Sequence, residues 1–484
     1  MNAPLRRLGV VVAMLFSMLL ASTTYIQFVQ ADNLNSRPGN SRALEKEYGR
    51  ERGPILVGGQ PVVDSVKVDD DYGYQRRYRR GPEYAAVTGY YSLVYGASAM
   101  EGAADSYLSG TADQLFYRRL ADLFTGRQPQ GASVSLTISA KAQKAAWDAL
   151  GDQRGAVVAI EPKSGKILAM VSKPSYDPNL LASHDRAKVA AAWETLTADA
   201  ERPLENRAIA SRLYPPGSVF KLVTAAAALS SGEYTAESQL PGPAKLKLPE
   251  STTTLPNDFS GACSRTGKVS LADALRISCN TAFGALGMTL GTEAVLSQAE
   301  DFGFDHALEI PLQVTPSSFP VDPSQAQLAQ SAIGQFDVRV TPLQVAMIAA
   351  AIANGGTLMK PNLVDTINGA NLDVIHREKP QKLSEPLSED AAAALTAMMV
   401  GVVENGTGKK AQISGVSVAG KTGTAQQGEG DPPHAWFTAF APADDPQIAI
   451  AVVVEDGGRL GTRASGGAVA APIAKAVMQA VLRT

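Results

Sequence analysis

The sequence predicts an α+β fold: a central antiparallel sheet flanked by helices, with a helical subdomain inserted. A membrane-spanning helix and a mainly extended, β-rich N-terminal module precede it. Three observations carry this reading. A β-hairpin pattern at residues 155–172 is answered by strand patterns at 416–455, and the segment from Ser218 to about Gly355 reads mostly as helix. The chain opens on an apolar run flanked by arginines. Between the two, Asp32 to about Gly131 is polar, weakly periodic and rich in Gly, Arg and Tyr.

The chain of 484 residues has room for two or three domains. Its 45% hydrophobic and 19% charged content suits a globular protein with a large core. A net charge of −3 gives no hint of a nucleic-acid partner. The one dense basic run, Arg76-Arg77-Tyr78-Arg79-Arg80, reads as a solvated face or an interaction patch. Four histidines and two cysteines form neither HExxH nor CxxC. No GxGxxG stands between a strand and a helix. No metal and no cofactor are expected.

Taken in order, Arg6 and Arg7 precede an apolar run from Leu8 to about Val29, interrupted by Ser17 and Ser22-Thr23-Thr24. About 20 apolar residues cross a bilayer. A cleaved signal peptide is the competing reading, but the run is long for one and Ala21-Ser22-Thr23 is only a fair cleavage site. An uncleaved single-pass anchor is expected, with its arginine-flanked end in the cytoplasm and the rest of the chain outside. Pro54 to Val57 and Tyr90 to Tyr95 read as strands, and Ser106 to Phe124 as a helix ending at Thr125-Gly126. This module shows no chemistry and is too thin for a large core of its own.

From Ser133 the texture changes. Val134 to Ile138 alternates as a strand, Ala140 to Leu150 is Ala-rich and helical, and Gly155 to Ile160 with Lys166 to Ser172 forms the hairpin. Loops are expected at Leu240 to Cys263 and Phe304 to Pro323. Strands return at Val416 to Ala425, Trp436 to Phe440 and Ile448 to Glu455, and a helix from Ala468 to Leu482 follows them. The expected boundaries are therefore 1–30 for stub and anchor, 31–132 for a linker or dimerisation-type module, and 133–484 for the main domain.

Three short motifs carry chemistry. After the Tyr214-Pro215-Pro216-Gly217 turn, Ser218 stands at a helix start and Lys221 lies one turn on, on the same face. A serine hydroxyl needs a base to become a nucleophile, and a buried lysine with a lowered pKa can serve. Read alone, the pair is equally an N-capping serine beside a solvated lysine. Ser278-Cys279-Asn280 follows, in a turn between two helical segments (Leu271 to Ile277, Thr281 to Leu290). There a hydroxyl and an amide can point into one cleft, although capping alone would also explain them. Gly420-Lys421-Thr422-Gly423-Thr424 then opens out of an apolar strand, where glycines admit a substrate backbone to the sheet edge.

Helix-start Ser-x-x-Lys, Ser-x-Asn turn and Lys-Thr-Gly strand, in this order and at domain-sized spacings, are the signature of penicillin-recognising acyl-serine enzymes. Gly155 to Ile160 with Lys166 to Met170 resembles the opening of a transpeptidase domain of β-lactamase-like fold. Ile333-Gly334-Gln335 with Val340 to Gln344 resembles its later helical region. Over residues 133–484 the chain resembles a class B, monofunctional penicillin-binding protein. The resemblance implies a peptidoglycan D,D-transpeptidase of cell-wall growth or division, with Ser218 as nucleophile and Lys221 as general base. Ser278 would relay the proton, Asn280 orient the donor, and Lys421, Thr422, Gly423 and Thr424 bind its terminal carboxylate. The Ser218 and Thr424 backbone N–H groups would form the oxyanion hole.

Implied partners are stem peptides on lipid-linked nascent glycan, β-lactam antibiotics, and a membrane glycosyltransferase of the shape, elongation, division and sporulation type. The stretch before residue 133 leaves no room for a glycosyltransferase domain of the class A kind. The glutamate of a β-lactamase is approached only by Glu293, without the expected asparagine after it. A D,D-carboxypeptidase and a non-catalytic scaffold or penicillin sensor remain as alternatives. Cys263 and Cys279, the only cysteines, are expected to form a disulfide in an extracytoplasmic compartment. A loop of this size contributes about 3 kcal/mol in the chain-entropy model.

Overall fold

The computed structural model describes residues 2–30, 48–112, 114, 130–210, 213–428 and 430–482. The five strands nearest the site are covered on both faces, and the inner three are accordingly almost wholly apolar. The order of the five is Ala419–Ala425, His434–Ala441, Ile448–Val454, Gly155–Ile160 and Ile167–Lys173, all antiparallel. Successive side chains on a strand leave from opposite faces. Val157 and Ala159 accordingly pack in one apolar layer with the helices Ala140–Leu150 and Gly466–Leu482. Ala156, Val158 and Ile160 pack in the other, with the helix Pro342–Ala353. Ile448 to Val454 divides its side chains between the same two layers. Sequence and structure agree on this sheet, strand for strand within a few residues.

The helix Pro342–Ala353 lies under the sheet and is buried almost along its full length. Its start is fixed by Pro342 in the first turn and by Thr341, whose hydroxyl accepts the Gln344 N–H at 3.1 Å. Beside it the buried helix Lys221–Ser230 carries Phe220 at its head, stacked on Phe319 with centroids 5.5 Å apart.

The N-terminal module does more than expected. A second sheet runs Val374–Arg377, Val364–Asn368, Ser133–Leu136, Ile55–Val57, Gln60–Lys67, Tyr74–Tyr78. Only the Ile55–Val57 to Ser133–Leu136 pairing is parallel. This sheet takes strands from both sides of residue 132. One buried apolar cluster joins Ile55, Val63 and Met100 to Phe220, Phe283 and Leu343. The module thus shares the main core instead of lacking one.

Other expectations need correction. Tyr90 to Tyr95 is no continuous strand, and only Tyr91–Ser92 pairs, with Gly96–Ala97. The Ser92 hydroxyl accepts the Val94 and Tyr95 N–H groups at 3.4 Å, which turns the chain. The helix expected from Ser106 is described only as Asp105–Leu108, and most of its remainder lies outside the described residues. The loop after Leu240 contains a small hairpin, Lys245–Lys247 with Thr254–Pro256. At the N-terminus, Ala3–Val29 forms one helical span of 27 residues with mean hydropathy 1.9, long and apolar enough to cross a membrane.

The module is held by a buried charge network. Glu101, with no exposed surface, accepts from Arg52 Nε at 2.7 Å, Arg76 Nε at 2.8 Å and the Tyr78 hydroxyl at 3.1 Å. Removing one member of a buried network leaves its partners' charges unpaired. Glu101→Ala is therefore expected to lower the unfolding free energy by about 3–5 kcal/mol. Chemical denaturation in detergent would measure it, and a loss below about 1 kcal/mol would show that the arginines find other partners.

Candidate active site

The turn before Ser218 is pinned on three sides. Tyr214 exchanges backbone hydrogen bonds with Val340, at 3.0 and 2.9 Å. Its hydroxyl donates to Glu455 Oε1 at 2.7 Å, and Trp436 Nε1 donates to the Pro215 carbonyl at 3.1 Å. Gly217 then takes a left-handed φ of 56°, and a Cβ there would lie 2.7 Å from the Thr424 carbonyl. Only glycine fits both the conformation and the approach. Its N–H donates to the Gly334 carbonyl at 2.9 Å. Ser218 follows in a 3-10 turn, Gly217–Val219, ahead of the helix Lys221–Ser230. Among the described residues the Ser218 N–H has no backbone acceptor.

Lys221 is wholly buried. Its Nζ donates to the Ser278 carbonyl at 2.8 Å, to Ser278 Oγ at 3.2 Å and to Asn280 Oδ1 at 2.6 Å. Those three bonds occupy every proton of an ammonium. No hydrogen bond joins Ser218 Oγ to Lys221 among the described residues, although the two residues lie one turn apart. A neutral amine has one proton fewer and a lone pair in its place, so deprotonation frees one of these three positions to accept a hydrogen bond. Burial drives Lys221 toward that state, lowering its pKa from 10.5 to about 7, with Asp258 opposing.

Ser278 takes a left-handed φ of 60°, which lets its carbonyl and its hydroxyl meet the same lysine. Such conformations persist where surrounding structure enforces them. Here Cys279 caps the helix Asn280–Leu290 and is joined by a disulfide to Cys263. Asn257 Oδ1 accepts the Asn280 and Thr281 N–H groups at 3.0 and 3.1 Å.

On the edge strand Ala419–Ala425, Lys421 is also fully buried. Its Nζ donates to Ser278 Oγ at 2.9 Å and to the Thr422 carbonyl at 2.8 Å. Its pKa falls well below the usual lysine value, first through burial and then through repulsion by Lys221. Burial is the leading cause on both lysines. The two amines face one hydroxyl, so their protons titrate as a pair. Gly423 has no room for a side chain, since a Cβ would sit 2.9 Å from that of Trp436 and 3.0 Å from the Pro216 carbonyl. The Thr422 hydroxyl is engaged by Thr407 at 2.6 Å, which leaves half-buried Thr424 as the residue whose hydroxyl has no partner among the described residues.

All three motifs therefore meet at Ser278 Oγ. The sequence did not point to Asn257, Asp258 or Thr407. The first two lie in a segment read as plain loop, and Thr407 stands between two glycines that belong to none of the three motifs. Glu293 is exposed in the first turn of the helix Thr292–Asp301 and bonds to none of these groups. Among the described residues no three His, Cys, Asp or Glu side chains cluster to hold a metal.

Comparisons with known proteins agree with one another. Residues 155–479 match the family model described as penicillin binding protein transpeptidase domain. Residues 52–134 match that of the penicillin binding protein A dimerisation domain. A Mycolicibacterium smegmatis protein named peptidoglycan D,D-transpeptidase PbpA is 48% identical, over 100% of this chain and 99% of its own. The protein of that name in Mycobacterium tuberculosis is 47% identical with the same coverage. The solved ceftriaxone acyl-enzyme complex of penicillin-binding protein A from M. tuberculosis superposes with a TM-score of 0.88. That match is 47% identical and covers 91% of this chain and 100% of the solved one.

The lysine chemistry can be tested directly. With 13Cε-labelled lysine, one NMR resonance is expected to titrate with a midpoint of about 7 and to vanish in Lys221→Met. If every resonance stays near 10.5, the buried lysine is not a usable base.

Proposed function

The chain belongs to the penicillin-binding protein transpeptidase family, and from that footing we propose how its residues carry out the reaction. It is a peptidoglycan D,D-transpeptidase that works through an acyl-serine. The observation that carries the residue assignment is the convergence of Lys221 and Lys421 on the Ser278 hydroxyl, 3.2 and 2.9 Å away.

The donor stem peptide lies along the open edge of Ala419–Ala425, its terminal carboxylate at Lys421 and Thr424. That carboxylate brings a negative charge to Lys421 and favours the proton there, so Lys221 is the amine left neutral. Ser218 Oγ then attacks the carbonyl of the penultimate D-alanine while its proton passes to Lys221. The Ser218 and Thr424 N–H groups receive the developing oxyanion, and such donors are each worth about 3 kcal/mol. On collapse the C–N bond breaks. Lys221 returns the proton through Ser278 Oγ to the departing D-alanine nitrogen. An amine of a neighbouring stem peptide next attacks the ester, loses its proton by the same route reversed, and releases Ser218 with the cross-link made. β-Lactams acylate Ser218 by the first half of this sequence and block the second.

The helix Ala3–Val29 anchors the enzyme in the membrane, with Arg6 and Arg7 at its cytoplasmic end and the catalytic domain outside. Residues 31–132 are an accessory module. With the anchor it forms the docking face for a membrane glycosyltransferase that supplies nascent glycan.

The test is fluorescent-penicillin labelling of the full chain in detergent. Stable label is expected on the wild type and none on Ser218→Ala or Lys221→Ala. The acylation rate should rise as pH passes through about 7 and level off above it, because only the neutral Lys221 amine accepts a proton. Label lost within seconds would mean hydrolytic turnover. No label on folded wild type would return the protein to a scaffold role. Mass spectrometry of products from a stem-peptide donor, with and without an added amine, separates transfer from carboxypeptidase action.

A further inference from the structure

Asn280 has its two amide ends sorted by its neighbours. Nδ2 donates to the Pro256 carbonyl at 3.2 Å and to Asp258 Oδ1 at 3.1 Å, and Oδ1 accepts from Lys221 at 2.6 Å. Two acceptors on one side allow only one orientation of an amide. Those acceptors sit on the segment that also supplies Asn257 to cap the Asn280 helix, and that the Cys263–Cys279 disulfide ties to the turn. Asp258 itself is exposed to solvent, whereas both lysines are fully buried.

The charges facing Lys221 are few. Its own helix, Lys221–Ser230, carries no other ionisable residue. Ser278 and Asn280, from the turn and the helix after it, are neutral. Lys421 faces it from the edge strand, and Asp258 from the loop. Among the described residues Asp258 is the one carboxylate that acts on either lysine.

We propose that Asp258 is a positioning residue of the reaction: it keys the Asn280 amide toward Lys221 and supplies the one negative charge that balances the two buried lysines. The proposal rests on Ser218 and Lys221 being the nucleophile and base. The placement has a physical logic. A carboxylate buried beside the lysines would bear its own desolvation cost and would clamp them as ammonium groups. In contact with water, it moderates their loss of charge without fixing it. Without it Lys221 would be neutral at lower pH but also a weaker base, which slows proton transfer from Ser218.

The experiment compares wild type, Asp258→Asn, Asp258→Ala and Asp258→Glu in the full-length protein, by rate of fluorescent-penicillin acylation from pH 5 to 9.5. Asparagine keeps an oxygen for Asn280 Nδ2 and removes the charge; alanine removes both. For Asp258→Asn the rising limb should move to lower pH by at least about half a pH unit, with the plateau within about threefold of wild type. Asp258→Ala should show the same displacement and a plateau about tenfold lower. Asp258→Glu should bring the limb back toward wild type. An unmoved limb in Asp258→Asn overturns the charge role, and equal plateaus in the Asn and Ala variants overturn the keying role. A folding defect lowers the labelled fraction at saturation without moving the limb. If the wild type takes no label that Ser218→Ala abolishes, the nucleophile assignment has failed instead; if it does and the limbs coincide, only Asp258 falls.

Discussion

The hydroxyl of Ser278 is the point on which the rest of this structure depends. Two lysines with no exposed surface reach it from different parts of the chain. Burying one ammonium is costly, and burying two within reach of a single oxygen is costlier still. The site can exist only if at least one amine gives up its proton. That requirement turns a destabilising arrangement into a chemical asset, since a lysine neutral near pH 7 is a base and an exposed one is not. Folding energy from the apolar layers on both faces of the five-stranded sheet is what holds the arrangement in place.

The supporting structure is arranged around that point. Gly217 and Gly334 let the turn that carries Ser218 lie against the Thr424 carbonyl and the helical side at once. The Tyr214–Glu455 and Trp436–Pro215 hydrogen bonds stop it from moving along the sheet. Ser278 is held in a left-handed conformation by a disulfide and an asparagine cap on the residues that follow it. A proton relay tolerates little slack, because a donor displaced by an ångström no longer reaches its acceptor. The density of fixed contacts around three small motifs follows from that tolerance.

Legibility in the sequence follows the range of the interaction. Ser218 to Lys221 is one helical turn, and Ser278 to Asn280 one turn of chain, so their juxtaposition is local. The sheet was readable because Gly155–Ile160 and Ile448–Val454 are nearly unbroken Val, Ile and Ala. Val364–Asn368 and Val374–Arg377 were missed because they are short, half exposed and near the sheet edge, so no apolar alternation marks them. Tyr90 to Tyr95 misled because its apolar content ignores a serine that turns the chain. Asp258 and Thr407 carry no local signal, since each acts across a loop closure on a residue far along the chain. The capture of the Thr422 hydroxyl by Thr407 shows the same limit. A motif names residue types that can bind a carboxylate, and only the fold decides which hydroxyl is left to do so.

The pair of lysines also explains why recognition and catalysis are inseparable here. In the empty site both amines are buried and both bond to Ser278 Oγ, but the charge of Lys221 also lowers Lys421, so the proton rests more readily on Lys221. Under the proposed assignment, a substrate carboxylate at Lys421 would reverse that balance. It would favour the ammonium at Lys421 and the free amine at Lys221, so the group that docks the proposed donor would also arm the proposed base. A peptide lacking the terminal carboxylate loses more than an ion pair, since Lys221 is then no longer the preferred neutral partner. Specificity for a chain terminus is thus written into the proton inventory of the site as much as into its shape.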